Sequence, residues 1–229
     1  MVGKLLATVR SIVFYILFYT GSIPYVLLAI ASASPARFKT ISRNWSRYHR
    51  VCARVLLGIR LDIGGASSHS RVLYAVKHEA FFEAIDVPAL FDQPVVFAKA
   101  ELLKIPGWGI AADRFGVVGV ERDAGAKALR KMLTAARTLS AEGRPLVIFP
   151  EGTRIPHGTR APLQAGFAGL YKLLGYPVIP VAVDSGPLYH RRWKRPGTIR
   201  YRFGEEIPAG LPRAEIEARV LEAINALNP

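Results

Sequence analysis

Residues 72–83 read VLYAVKHEAFFE, and residues 146–154 read LVIFPEGTR. Each opens as a short apolar run and then breaks into polar, turn-forming residues. Neither run alternates apolar with polar, which is the pattern of a strand buried on both faces. The first passes through a turn into Phe81–Leu90, which reads as a helix. Outward from these two stretches, Leu61–Ile63, Val95–Ala98, Val117–Val120, Val178–Val183 and Ile199–Phe203 predict further strands. Between them, Glu101–Lys104 reads as a helical turn and Pro106-Gly107-Trp108-Gly109 as a Gly-rich stretch. Ala124–Ala141, rich in Ala, Leu, Lys and Arg, reads as a strong helix, with Phe167–Leu174 and Arg213–Leu227 as two more. Strands alternating with helices predict an α/β fold: a single domain with a mostly parallel central sheet covered by helices.

The chain has 229 residues, enough for one such domain with an appended segment. Hydrophobic residues make up 51% and charged residues 21%, which excludes global disorder. The net charge of +14 calls for an anionic partner: a membrane surface, a phosphorylated ligand or a nucleic acid. A lone cysteine, Cys52, excludes an internal disulfide and a Cys-rich metal site, and no metal is expected.

The charge is unevenly placed. Nothing acidic precedes Asp62, whereas Lys4, Arg10, Arg37, Lys39, Arg43, Arg47, Arg50, Arg54 and Arg60 do. Within this basic region the run Ser11–Ala33 is apolar and meets the roughly 20 residues that span a bilayer. Gly21 and Pro24 interrupt it, so one spanning helix and a shallow hairpin of two short helices both fit. Either attaches the protein to the cell membrane, and the basic residues that follow place the remainder on the cytoplasmic side. Residues 40–57 predict an amphipathic helix. Arg43, Arg47, Arg50 and Arg54 form one stripe, with Ile41, Trp45, Tyr48, Cys52 and Val55 beside it. Lipid headgroups are the expected counter-charge, at about 1 kcal/mol per basic residue. The layout is therefore an N-terminal membrane-associated helical segment over residues 1–58 and an α/β domain over 59–229.

Two constellations carry chemistry. His78 follows a strand directly, where α/β sheets gather their ligand sites. Glu83, five residues on in the first turns of a helix, can reach back to one imidazole nitrogen and leave the other free to take a proton. Glu79 and Asp86 are rival orienting groups. In the second constellation, Pro150 stops a strand and Gly152 permits a turn that presents Glu151 and Arg154. Arg154 can grip phosphate oxygens in bidentate fashion, or simply pair with Glu151.

Together these motifs resemble the glycerophospholipid acyltransferase family, from about Val72 to Val183 and in family order. The His-x4-acid motif is matched by His78 and Glu83, and the Phe-Pro-Glu-Gly-Thr-Arg run by residues 149–154. Gly107-Trp108-Gly109 through Phe115 to Val120-Glu121-Arg122 matches the family's second motif, and Val178-Ile179-Pro180-Val181-Ala182 its fourth. The resemblance implies transfer of a fatty acyl group from acyl-CoA or acyl carrier protein to the free sn-2 hydroxyl of lysophosphatidic acid, a membrane lipid. The thioester is a co-substrate and no cofactor is implied. Glycerol-3-phosphate and other lysolipids are alternative acceptors. It further implies His78 as base, Glu83 as its orienting acid, and Lys99, Arg122 and Arg154 as holders of the acceptor phosphate. Glu151, Gly152 and Thr153 would form the acceptor loop. Two departures from the common pattern stand out: Glu83 replaces Asp, and Lys77 replaces an Asn before the His.

Two other classes of function account for parts of the sequence. A non-catalytic protein on anionic membranes would explain the charge and the apolar run but not the paired motifs. Nucleic-acid binding would use His190-Arg191-Arg192-Trp193-Lys194-Arg195 with Arg200 and Arg202. The apolar N-terminus favours the membrane, and no nucleic-acid partner is expected.

Overall fold

The computed structural model describes residues 2–65, 71–121 and 125–229. Helix α1 (Val2–Ala31) runs unbroken through Gly21 and Pro24, and α2 (Pro35–Cys52) packs back against it. The hairpin therefore lies between α1 and α2, not within the apolar run. Gly21 is a slot, not a break. The Tyr48 hydroxyl donates to the Leu17 carbonyl at 2.6 Å, and a Cβ on Gly21 would overlap the Tyr48 hydroxyl oxygen. Next to it, the Trp45 indole donates to Ser22 Oγ at 2.9 Å.

A π-helical turn (Ala53–Leu57) closes α2. Its wider winding breaks the 3.6-residue phase, so Val55, placed by regular spacing among the packed residues, is exposed. The arginine stripe is also only half free. Arg50 pairs with Asp86 and Arg43 with Asp92, while Arg47 and Arg54 are exposed without a carboxylate partner among the described residues.

The chain continues as β1 (Ile59–Gly64), β2 (Leu73–Val76), α3 (Phe81–Leu90), β3 (Val95–Lys99), a 3-10 turn (Ala100–Lys104), α4 (Trp108–Phe115), β4 (Val117–Val120), α5 (Gly125–Ser140) and β5 (Leu146–Ile148). Then follow α6 (Ala165–Leu174), β6 (Val178–Val183), α7 (Gly186–Tyr189), β7 (Gly197–Phe203) and α8 (Arg213–Ile224). The strands form one sheet in the order β1-β7-β6-β2-β5-β3-β4, parallel throughout except for β6 against β7. The mostly parallel α/β sheet predicted from the sequence is the one observed. Helix α4 is an addition: its Gly109 lies so close to the Leu103 carbonyl that a Cβ would overlap it.

Both faces of the sheet are covered, which is why its strands do not alternate. Tyr74, Val76, Val147, Ile179 and Val181 form one core with Phe14 and Phe18 of α1, Leu57 and Phe82. Leu73, Ala75, Leu146 and Val178 form the other with Met132, Phe167, Leu170, Ile216 and Val220. Each such large side chain contributes about 1.5–3 kcal/mol on burial. Helix α1 thus belongs to the core on one side, while Leu5, Leu6, Ile16, Leu27 and Leu28 expose an apolar outer face. By length and composition α1 is able to cross a bilayer.

His49 is fully buried among Phe14, Phe18 and Phe82, with Nε2 2.7 Å from the Tyr189 hydroxyl and Nδ1 unpartnered among the described residues. Burial above all, then the charges of Lys194 and Arg50, push its pKa down to about 3. The unfolded chain therefore takes up this proton first as pH falls. Stability from His49 is complete above the ordinary histidine pKa of about 6.5 and is lost progressively toward pH 3, at up to about 1.4 kcal/mol per pH unit. Denaturant unfolding between pH 7 and pH 5 should show His49→Phe losing less stability on acidification than the unaltered protein. Equal slopes would contradict this account.

Candidate active site

In a parallel sheet the carboxyl ends of the strands share one edge. Here that edge carries Lys77 and His78 after β2, Phe149–Arg154 after β5, Asp184 and Ser185 after β6, and Lys99 at the end of β3. Strand order alone therefore brings distant stretches of sequence together.

Of the three acids near His78, Glu83 is the one that meets it, with Oε1 3.0 Å from Nδ1. The same oxygen accepts from the backbone N–H groups of Glu79 and Ala80, the latter at 2.6 Å. Its second oxygen accepts from Ser185 Oγ at 2.6 Å. Four donors fix a fully buried carboxylate, which in turn fixes the imidazole. Nε2 of His78 has no partner among the described residues, and the ring lies against Phe149 with centroids 4.4 Å apart. Glu79 is committed elsewhere: it accepts from Gly186 N at 2.8 Å and meets His157 Nδ1 at 2.9 Å. Burial raises its pKa, and the His157 contact and the Gly186 N–H partly offset that. Asp86 is held by both arms of Arg50, at 2.6 and 2.9 Å.

Glu151 turns inward. Its Oε1 accepts from Lys77 Nζ at 2.6 Å, and both side chains are fully buried. The ammonium also donates to Asn225 Oδ1 of α8 at 2.9 Å and to the Thr159 carbonyl at 3.3 Å. The other Glu151 oxygen accepts from His78 N at 3.2 Å, and Ile155 N donates to the His78 carbonyl at 2.8 Å. The Glu151 partner is thus Lys77 and not Arg154. Burial raises the Glu151 pKa, against the pull of Lys77. Arg154 is exposed, its guanidinium 4.3 Å from the centre of the Phe81 ring.

A cavity of about 1460 Å³ opens at this edge. His78, Lys99, Gly152 and Arg154 line it, while Glu151 and Thr153 stand off its wall. Lys99 is exposed and pairs loosely with Glu101 at 3.2 Å. Arg122 lies outside the described residues. One side of the cavity runs along Ile23, Val26 and Ile30 of α1, another along Leu129, Met132 and Phe167 of α5 and α6. Sequence reasoning missed Lys77, His157, Ser185 and Asn225. Lys77 and Ser185 carried a positional signal, since each follows a strand on the same edge, while His157 and Asn225 carried none.

An oriented imidazole, cations and an apolar cleft at one sheet edge are the parts of an acyl-transfer site. A family model described as Acyltransferase matches residues 64–184, more than half of the chain, and the chain belongs to that family. It is an acyltransferase. It is 29% identical over 209 residues to the 1-acyl-sn-glycerol-3-phosphate acyltransferase of Pseudomonas aeruginosa, covering 88% of this chain and 81% of that one. Against the alpha form of the enzyme of that name in Mus musculus it is 27% identical over 198 residues, 82% and 70% of the two chains. Among solved structures, the 1-acyl-sn-glycerophosphate acyltransferase of Thermotoga maritima superposes with a TM-score of 0.73 at 19% identity, over 98% of this chain and 94% of that one. At that identity the likeness is one of fold.

Removing one partner of the Lys77–Glu151 pair leaves a charge buried alone. Lys77→Met should therefore cost about 3–5 kcal/mol of unfolding free energy, read by denaturant titration. A loss below about 1 kcal/mol, typical of an exposed pair, would show that the pair is not buried in solution.

Proposed function

We propose that the protein transfers a fatty acyl group from a thioester, acyl-CoA or acyl carrier protein, to the sn-2 hydroxyl of 1-acyl-sn-glycerol-3-phosphate, giving phosphatidic acid. One observation carries this reading. The imidazole of His78, turned by a buried Glu83, lies on the wall of a mainly apolar cavity that also presents Lys99 and Arg154. At about 1460 Å³ the cavity exceeds the 300–1,000 Å³ usual for one small ligand and has room for two long-chain substrates. The names of the relatives support the acceptor.

In this mechanism His78 Nε2 takes the proton of the acceptor hydroxyl as its oxygen attacks the thioester carbonyl. The tetrahedral oxyanion forms beside the cations of the wall. It collapses by expelling the thiolate, which recovers the proton from His78. Lys99, Arg154 and Arg122 hold the acceptor phosphate. Ser185 is bonded to Glu83 and Cys52 is buried in α2, so neither is assigned as a nucleophile and no acyl-enzyme forms. The mechanism calls on no cofactor. Residues 1–58 are proposed as the membrane-associated segment and 59–229 as the catalytic domain. The apolar outer face of α1 seats the protein on the cell membrane, on the cytoplasmic side given the basic residues that follow it.

With purified protein and a panel of lyso acceptors, phosphatidic acid should form. His78→Ala should abolish transfer while sedimentation with lipid vesicles stays unchanged. Near-normal turnover by that variant would remove the base assignment, and product from a different acceptor alone would replace the substrate. Glu83→Gln should lower kcat by about 10²-fold or more, the scale of a misplaced general base. A kcat within a few-fold of the unaltered protein would rule out Glu83 as the orienting group.

A further inference from the structure

The loop His190–Arg195 between α7 and β7 has no role in the chemistry described so far. It is built with care. Lys194 is only 7% exposed, and its ammonium donates to the carbonyls of Tyr189 at 2.9 Å and Arg191 at 3.3 Å. The same group lies 3.7 Å from the centre of the Tyr189 ring. Burial lowers its pKa to about 8. Helix α1 clamps the loop from outside: Lys194 N donates to Ser11 Oγ at 2.8 Å, and the Tyr15 hydroxyl donates to the Arg192 carbonyl at 2.7 Å. Arg195 N closes the turn on the Leu188 carbonyl at 3.0 Å.

The clamp presents His190, Arg191 and Arg192 on the wall of the cavity that holds His78 and Arg154. The His190 pKa is lowered by burial and then by the nearby charge of Arg154. Among the described residues Arg191 and Arg192 have no carboxylate partner. On the adjoining strand, by contrast, Arg200 pairs with Asp184 and Arg202 with Asp62. A rigid loop that holds uncompensated cations beside a cleft suits an anionic ligand of fixed geometry. Headgroups of a fluid bilayer require no such rigidity.

The acceptor phosphate already has Lys99 and Arg154. The anionic part of the donor remains unplaced: in both acyl-CoA and acyl carrier protein the acyl thioester sits on a phosphopantetheine arm, and the phosphate at the end of that arm is common to the two. We infer that the His190–Arg195 loop is the donor subsite, with Arg191 and Arg192 binding the phosphate at the far end of that arm. The inference rests on the acyl-thioester reading of the site.

The test uses the full chain in detergent micelles and the variant R191A/R192A. Donor KM is measured at saturating acceptor with palmitoyl-CoA or palmitoyl acyl carrier protein, whichever is turned over, and with palmitoyl-pantetheine, which lacks the phosphate. The variant should raise KM for the phosphorylated donor by at least about tenfold, the worth of one charge-assisted hydrogen bond. KM for palmitoyl-pantetheine and for the acceptor should not move, and that constancy also shows that the variant is folded. An unchanged KM for the phosphorylated donor would overturn the inference, as would an equal rise for palmitoyl-pantetheine. A rise in acceptor KM alone, or a loss of vesicle binding alone, would reassign the loop to lipid phosphates. Absence of transfer to 1-acylglycerol-3-phosphate by the unaltered protein is a separate failure, of the proposed acceptor. Calorimetric binding of CoA against pantetheine, which needs no acceptor, then decides the subsite.

Discussion

The buried ion pair between Lys77 and Glu151 is the constraint from which the rest of the site follows. Either charge alone would cost several kcal/mol in the interior, so the two are admissible there only together. They sit just beyond the ends of β2 and β5, which are parallel neighbours. Pairing them sets how far each strand end projects, and so where His78 stands relative to Arg154. Asn225 adds a third arm, which draws the end of α8 under the same point. The second Glu151 oxygen holds His78 by its backbone N–H, leaving the imidazole free for Glu83.

Around this pair the interior carries three more carboxylates: Glu79, Glu83 and Asp86, all fully buried. Four such acids at one sheet edge would repel unless each had donors of its own. They do, and the partners do not overlap. Asp86 takes Arg50, Glu79 takes His157 and Gly186 N, and Glu83 takes Ser185 with two backbone N–H groups. Burial and the charge of Glu83 both raise Asp86, and Arg50 offsets them. One of the four arginines of the α2 stripe, Arg50, is thereby spent inside the protein, while Arg43 pairs with Asp92 at the surface. What looked like a lipid-facing array also secures the helix on which Glu83 stands.

The strands and the alternation of elements were legible in the sequence because burial on both faces leaves a continuous apolar run, as in Val72–Val76 and Val178–Val183. The His78–Glu83 pair was legible because only four residues separate its members and a helix start lies between them. Lys77 was not, since a lysine beside a histidine gives no sign of being buried until Glu151 and Asn225 arrive from 74 and 148 residues away. Helix α4 was hidden behind Gly107 and Gly109, which signal a turn in one dimension but serve close backbone approach in three. Gly21 misled in the same way, as a slot for Tyr48. His49 was unreadable because nothing local shows that its neighbours Phe14 and Phe18 come from another helix.

Under the proposed function, helix α1 is the element that would connect these features to a membrane. Its outer face is apolar and exposed, its inner face enters the sheet core, and a third side lines the cavity while Ser11 and Tyr15 hold the cationic loop. The energetics of a long-chain substrate explain why one element would serve all three. Each methylene withdrawn from an apolar medium into water costs about 0.8 kcal/mol, so exposing about ten of them costs about 8 kcal/mol. An enzyme cannot recover that at each turnover unless the tail passes from bilayer to protein without meeting water. A helix apolar on its exposed outer side and on its cavity side would provide such a passage. Because the same helix clamps the loop beside His78, the proposed function would tie the position of the reacting groups to the depth at which the protein meets a bilayer.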